Sequence, residues 1–317
     1  MSTQRKTRGG SPTVALEFSD KRAIFGGKFV KQTMFDLLPP ATIVAILIFW
    51  ANAPGSWVNT WWTITAVGLT VLAFVQLMEW ANERHQGWRI TRREFFTDLF
   101  YVIFGTVAIS WVADTLANDP MAAAKKSLGI STQWVQDLPF LMQVILVVLL
   151  VEFGQYWMHR LMHHNSLFWS THAPHHHITQ LNAMKGYVGN PIELFLISLS
   201  VVALLDVDKA PMFAAFNSLG ALSYYAHANV RSDPPRWFSF FFTTIRHHSL
   251  HHTALSFEDT RCNYGNCVIL FDRIFGTFRE GESSVVGQDE RRRLSIAEQF
   301  AFPILPWLNR LRARRAA

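Results

Sequence analysis

The stretch FLMQVILVVLLVEFGQYWMHRLMHH, residues 140–164, joins an apolar run to closely spaced histidines. Its apolar part, Phe140–Trp157, approaches the roughly 20 residues with which a helix crosses a hydrocarbon core. Leu37–Ala53, Trp61–Trp80 and Leu99–Ala117 precede it and have the same character. Half of the chain is hydrophobic and 16% is charged, a balance typical of a protein solvated by lipid. These patterns predict an all-α integral membrane protein with about four transmembrane helices.

Basic residues indicate how these helices are oriented. Arg84, Arg89, Arg92 and Arg93 lie between the second and third stretches, and both tails carry further basic clusters. The positive-inside rule therefore places both termini, this link and the residues after the fourth stretch on the cytoplasmic side of a bacterial inner membrane or the endoplasmic reticulum. The net charge of +6 is explained by anchoring on anionic lipid. Since no nucleic-acid-binding motif accompanies it, we expect no nucleic-acid partner.

The chain is predicted to have three parts: a polar basic N-terminal tail at 1–34, one membrane-embedded domain at 35–280 and a basic C-terminal tail at 281–317. The first tail is too hydrophilic for a cleavable signal peptide, so an internal span mediates membrane insertion. Two shorter apolar segments, Pro191–Leu205 and Pro211–Ala226, flank an acidic turn. They form either a hairpin or re-entrant interfacial helices.

Twelve of the 13 histidines lie between residues 159 and 252, and most fall into three sets: HRLMH at 159–163, HAPHH at 172–176 and HSLHH at 248–252. Offsets of three and four bring side chains to one face of a helix, and Pro174 favours the start of a helix for the second set. One metal ion rarely binds more than about four imidazoles, so these sets predict two metal ions in a histidine-rich helical cap on the cytoplasmic face. The predicted metal ligands are His159, His163, His172, His175, His176, His227, His248, His251 and His252.

Other polar residues near these sets are candidates for supporting roles. His227 stands in the motif HAN, where Asn229 either supports a ligand or holds a water molecule. Asp272 either orients a ligating imidazole or pairs with Arg273 or Arg279. Four histidines lie off the motif spacing: His85, expected to be a hydrogen-bonded interfacial residue, and His164, His177 and His247, which either support the ligands or only form hydrogen bonds.

The three histidine sets, in this order, resemble the H-x-x-x-H, H-x-x-H-H and H-x-x-H-H boxes of the fatty acid hydroxylase and sterol desaturase superfamily. The flanking segments EFGQYWMHR, NYGN and FDRIFGTF are also similar to that family, from about the third span to Phe278. The resemblance implies a di-iron membrane enzyme that hydroxylates or desaturates a lipid with O₂ and two electrons, with zinc as a substitute in a purified sample. The sequence departs from the family at Arg231, where another histidine might follow His227; water, Asn229 or an off-spacing histidine could take that place.

The resemblance leaves the lipid open: a fatty acyl chain, sterol, sphingolipid, ether lipid or aminolipid. RWFSFFF, residues 236–242, is either an interfacial helix lining the lipid entrance or a set of ordinary interface aromatics. Cys262 and Cys267 fit neither a zinc site nor a disulfide framework, so we expect free thiols. Further candidates for the pocket are Tyr187, Tyr224 and Tyr225.

The chain shows no dinucleotide fingerprint and no cysteine set for an iron–sulfur cluster, so the expected electron donor is a separate ferredoxin or b-type cytochrome with its reductase. The main alternative is a divalent-metal-binding or metal-transport membrane protein. That function predicts ionisable ligands in the middle of several spans. A haem-binding electron carrier would instead need paired histidines on facing membrane helices.

Overall fold

The computed structural model describes residues 26–288 and 291–305. Within these ranges the protein is helical and has no β-strand, only the isolated bridges Glu83–Val230 and Thr253–Val286. The predicted all-α class is therefore confirmed. Four helices are long and apolar enough to cross a membrane. They are α1 (Gly26–Ala51), α2 (Thr63–Ala81), α3 (Arg92–Ser127) and α4 (Phe140–His164).

The first and third of these helices differ from their predicted bounds. Helix α1 begins well before Leu37 and contains Pro39 and Pro40 in its interior, and the Thr42 hydroxyl donates a hydrogen bond to the carbonyl of Leu38 beside them. Helix α3 is longer than the apolar stretch because it also includes more polar residues at both ends, 92–98 and 118–127. Two π-helical segments lie within it, Gly105–Ile109 and Asp114–Asn118. The clusters of the two tails fall largely outside the described residues.

The two shorter apolar segments form a hairpin that runs the length of the bundle. It descends from α6 (Pro191–Ser198) and returns as α7 (Lys209–His227). At the far end, Asp206 accepts a hydrogen bond from the backbone N–H of Thr132, in the link between α3 and α4. Helix α7 is buried along most of its length and packs against α1, α2 and α4. It therefore forms the centre of the bundle and delivers His227 to the opposite end.

Four further helices form the cap at that opposite end: α5 (Ser166–His176), α8 (Arg236–Phe241), α9 (Ile245–His251) and α10 (Leu270–Ile274). The link between α2 and α3 joins the cap, because Arg84 forms an ion pair with Glu282 at 2.6 Å. The N-terminal part of α1 lies there too, where Gln32 donates to the carbonyl of Arg231. The arginine-rich link and the histidine sets thus share one end of the bundle, as predicted; that this end faces the cytoplasm remains a prediction.

The chain beyond residue 280 packs on the cap as far as the described residues extend. The backbone N–H of Gly287 donates to the carbonyl of His252 at 3.3 Å, and Arg293 pairs with Glu94 at 2.7 Å. Helix α11 (Ile296–Ala301) begins with a capping box, and the Asn190 amide donates to the carbonyl of Gln299. The predicted domain boundary at 280 remains a prediction, but cap contacts continue past it.

Candidate metal centre

The nine predicted ligands come together in the cap as two groups of buried imidazoles. In each group, one ring nitrogen of every histidine lies within 4.8 Å of those of all the others. The five-histidine group contains His159, His163, His172, His176 and His251. The four-histidine group contains His175, His227, His248 and His252. Residues far apart in the chain thus supply one compact cluster of nitrogen donors.

A sharp turn at Asn165 brings the first two histidine sets together. Helix α4 ends at His164, and the Asn165 side chain then accepts hydrogen bonds from the N–H groups of Leu167 and Phe168, which caps α5. An asparagine at this position satisfies N–H groups that have no partner within the helix. The prediction that Pro174 starts this helix was wrong, because the cap at Asn165 sets the start earlier and leaves Pro174 in the last turn.

Neighbours in the sequence belong to different groups. His176 belongs to the five-histidine group and His175 to the four-histidine group. His251 and His252 are divided between the two groups in the same way. Successive residues of a helix point about 100° apart, so adjacent imidazoles face different centres. The rings of His176 and His252 stack at 4.4 Å between centroids, so the two groups lie directly against each other.

The Nε2 atoms within each group lie close enough together for one ion to contact several of them. In the five-histidine group, Nε2 of His172 lies 3.0 Å from that of His159 and 3.0 Å from that of His176. In the four-histidine group, Nε2 of His248 lies 2.8 Å from that of His227 and 3.0 Å from that of His252. Nitrogen atoms that bind the same ion through bonds of about 2.0 to 2.1 Å would lie about 3 Å apart.

The opposite ring nitrogens fix the protonation of several of these imidazoles. A carbonyl oxygen only accepts, so an Nδ1 that contacts one must carry the proton and leave the Nε2 lone pair free. Facing lone pairs repel each other unless a cation lies between them. The residues present therefore fit a pair of metal ions. The Nδ1–carbonyl pairs are His159 with Tyr264 at 2.7 Å, His175 with Val188 at 2.7 Å, His227 with Ser223 at 2.9 Å and His251 with Cys262 at 2.8 Å.

Burial keeps the imidazoles in the neutral form that binds metals. Desolvation lowers the pKa of His172 to about 3 and that of His227 to about 3. It also lowers the pKa values of His175 and His252. Because only the unprotonated nitrogen is a ligand, these groups need no proton loss near neutral pH before they bind an ion.

One supporting residue, Glu193, was missed by the sequence analysis. Its Oε1 lies 2.6 Å from Nδ1 of His172, an arrangement in which a carboxylate orients a ligating imidazole. Burial raises the pKa of Glu193 to about 8. Glu193 also closes a capping box with Asn190 at the start of α6, and the pattern Asn190-Pro-Ile-Glu193 is a signal that could have found it.

The histidines off the motif spacing lie outside both groups. His85 pairs with Glu282 at 2.7 Å, as expected for a hydrogen-bonded residue. The ring of His164 contacts the Tyr264 hydroxyl at 3.0 Å. The other two are His177, whose Nδ1 contacts the carbonyl of Ala173, and His247, which faces Glu280.

Asp272 has a different role from either predicted one. Its carboxylate accepts hydrogen bonds from the backbone N–H groups of Tyr264 and Gly265, both at 2.7 Å. It contacts neither a ligating imidazole nor the two arginines. Because the Tyr264 carbonyl accepts from His159, Asp272 holds the backbone on which that imidazole depends.

Asn229 and Arg231 do not reach the imidazole groups. The Asn229 side chain accepts from the N–H of His85 and donates to its carbonyl, so it joins the link between α2 and α3. The backbone N–H of Arg231 donates to the carbonyl of Asn82. Neither residue supplies the additional ligand considered for this position.

The structure also shows the surroundings of the aromatic residues and cysteines singled out in the sequence. Helix α8 exposes Trp237 and Phe240, which leaves both predicted interpretations open. The three tyrosines are engaged between helices, Tyr187 with Tyr224 at 2.9 Å and Tyr225 with the Thr42 hydroxyl at 2.9 Å. Cys262 and Cys267 are buried free thiols, as predicted.

Comparison with known proteins identifies a family that part of this chain matches. Residues 144–277 match the fatty acid hydroxylase family, which confirms the resemblance drawn from the histidine sets. The chain is 29% identical over 221 residues to ornithine lipid hydroxylase OlsE of Rhizobium tropici, covering 67% of this chain and 66% of that protein. It is 27% identical to alkylglycerol monooxygenase of Homo sapiens, covering 43% of this chain and 30% of the relative.

A third relative is a probable Delta(7)-sterol 5(6)-desaturase of Neurospora crassa, 24% identical over 47% of this chain and 42% of that protein. The matched part thus spans less than two thirds of each of these three relatives. No solved structure matches the chain.

Proposed function

We propose, from the place of this chain in the fatty acid hydroxylase and sterol desaturase superfamily, that it oxidises a C–H bond of a membrane lipid with O₂ at a pair of iron ions. The convergence of nine buried histidines into two groups carries this proposal. The names of the relatives, lipid hydroxylases and a sterol desaturase, support the oxidation of a lipid. They do not distinguish hydroxylation from desaturation.

In this proposal each histidine group holds one ion. Bound iron supplies the oxidant for a strong C–H bond, which acid–base side chains cannot break. The chain supplies the neutral imidazoles, and the carbonyls of Tyr264, Val188, Ser223 and Cys262 hold the rings in the ligating tautomer. The buried cap keeps bulk water from the reacting atoms.

The position of the histidines favours an enzyme over a metal transporter. A transport pathway needs ionisable ligands through the middle of several spans. In the described residues, both groups lie at one end of the bundle, where α4 and α7 end. We propose that this end faces the cytoplasm, so that a separate ferredoxin or b-type cytochrome with its reductase delivers electrons there.

Lipid mass spectrometry of a host with and without the gene tests the function. We expect one lipid class to gain one oxygen or lose two hydrogens only when the gene is present. His175→Ala and His251→Ala, one from each group, should abolish this change and lower the iron content of the purified protein. His164 lies off the motif spacing, so His164→Ala is the matched control. This variant should retain the lipid change and the iron content of the wild type. Purified protein that holds no metal and leaves the host lipids unchanged would disprove the proposal.

A further inference from the structure

A cleft of about 590 Å³ opens beside the end of α2, outside both histidine groups. Its walls come from the end of α2, the link to α3 and the stretch 229–231. This stretch pairs with residues 82–84. The N–H of Arg231 donates to the carbonyl of Asn82 at 2.8 Å, and the N–H of Arg84 donates to the carbonyl of Asn229 at 3.0 Å. The cleft therefore has a fixed backbone wall.

Among the charged residues that line the cleft, Arg231 is the one whose charged group has no hydrogen-bonded partner in the described part of the chain. Arg89 forms an ion pair with Glu83, so these two charges compensate each other. Glu79 is buried, and its Oε1 accepts from the N–H groups of Ala183 and Asn229. Arg231 is exposed and interacts electrostatically with Glu83, but its guanidinium makes no hydrogen bond or salt bridge with any described residue. The cleft thus presents guanidinium N–H donors that match carboxylate and phosphate groups.

The cleft also lies at the depth where lipid head groups are found. Helix α2, a candidate membrane span, ends at Ala81, and the preceding Trp80 lines the cleft with 62% of its side chain exposed. Tryptophan is enriched at the boundary between hydrocarbon and water. A ligand from the bilayer can therefore reach this cleft without leaving the membrane interface.

We propose that this cleft binds the anionic group, phosphate or carboxylate, of a membrane lipid head group through Arg231. The inference that this lipid is the substrate rests on the proposed function. The inference that the cleft binds the lipid does not depend on that function. The Cα atoms of residues 227 and 231 are at most about 14 Å apart along an extended chain, so a head group bound at Arg231 lies near the four-histidine group, to which His227 belongs. Arg231, the residue that departs from the histidine pattern, becomes a specificity determinant.

Native mass spectrometry of the full chain in detergent tests binding. The probes are dioleoyl phosphatidylglycerol, N-oleoylglycine, neutral dioleoylglycerol and inorganic phosphate. We expect wild-type protein to retain one or both anionic lipids and to bind dioleoylglycerol more weakly. Arg231→Ala should weaken that binding about tenfold to a hundredfold, the usual effect of losing a hydrogen bond to a charged group. Arg231→Lys should keep part of it.

Arg279→Ala is the matched control, because Arg279 is an exposed arginine of the cap outside the cleft, paired with Asp259. It should bind the lipids as the wild type does. Equal lipid binding by Arg231→Ala, equal binding of dioleoylglycerol, or displacement of the lipid by equimolar phosphate would each overturn the proposal. His175→Ala should retain lipid binding, so a failure of the metal-based function and a failure of this cleft give different results.

Discussion

Nδ1 of His172 lies 2.6 Å from Oε1 of Glu193, and both side chains are buried. Nε2 of the same imidazole faces the Nε2 atoms of His159, His163 and His176 at 3.0 to 3.2 Å. His172 thus stands between a carboxyl group and the centre of the five-histidine group. Among the described residues it is the only predicted ligand with a carboxylate partner.

Glu193→Gln should weaken metal binding about tenfold to a hundredfold, since such partners fix the orientation and basicity of a ligating ring. Iron affinity, measured by competition with a chelator, checks this. Glu298→Gln is a matched control because Glu298 closes the same kind of capping box on α11 away from the histidines. Equal affinities in both variants would show that Glu193 only caps its helix.

Pairs of histidine substitutions should separate the two ions. His175→Ala with His252→Ala removes two members of the four-histidine group, and we expect the purified protein to lose about one of two ions. His175→Ala with His176→Ala removes one member from each group and should impair both. Metal content per chain by elemental analysis measures the difference, and identical losses in the two variants would contradict separate groups.

Gly265→Ala should destabilise the cap by about 1 to 3 kcal/mol, the usual cost of overpacking. A Cβ at this position would lie 2.5 Å from the Val268 carbonyl oxygen and 2.9 Å from Oδ2 of Asp272. The backbone that supplies the Tyr264 carbonyl to His159 would have to move. Thermal unfolding in detergent measures the change. Gly87→Ala serves as the control because its Cβ would meet no atom within 4 Å, and a similar loss there would refute the packing argument.

Lys185→Met should lower stability by about 3 to 5 kcal/mol, because it leaves the buried Asp98 carboxylate without an ion-pair partner. Glu94 keeps its ion pair with Arg293. The Lys185 ammonium lies 2.6 Å from Glu94 and 2.7 Å from Asp98. The resistance of the detergent-solubilised protein to heat would report the loss. Adding Asp98→Asn to this variant should restore part of the stability. A double variant no more stable than Lys185→Met would argue against charge as the cause.

Helical spacing was enough to predict eight of the nine clustered histidines, since offsets of three and four are local properties. His227 has no such partner and was predicted from its motif HAN. The division into groups was not predictable in the same way. It depends on how α5 and α9 face each other. The turn at Asn165 and the packing of the buried helix α7 determine that arrangement, and both depend on long-range contacts. Glu193 was overlooked because an acidic residue in an apolar segment gives no sign of its partner. The role of Asp272 in binding backbone N–H groups likewise depends on a loop conformation that no local pattern records.

The division of His175 from His176, and of His251 from His252, between the two groups ties the centres together by covalent bonds. Neighbouring Cα atoms stay about 3.8 Å apart whatever the rest of the protein does. Thinner or thicker bilayers change the tilt of the spanning helices, but they cannot lengthen these two covalent links between the histidine groups. The distance between the groups is in this way limited by the chain itself, whatever the lipid composition of the membrane.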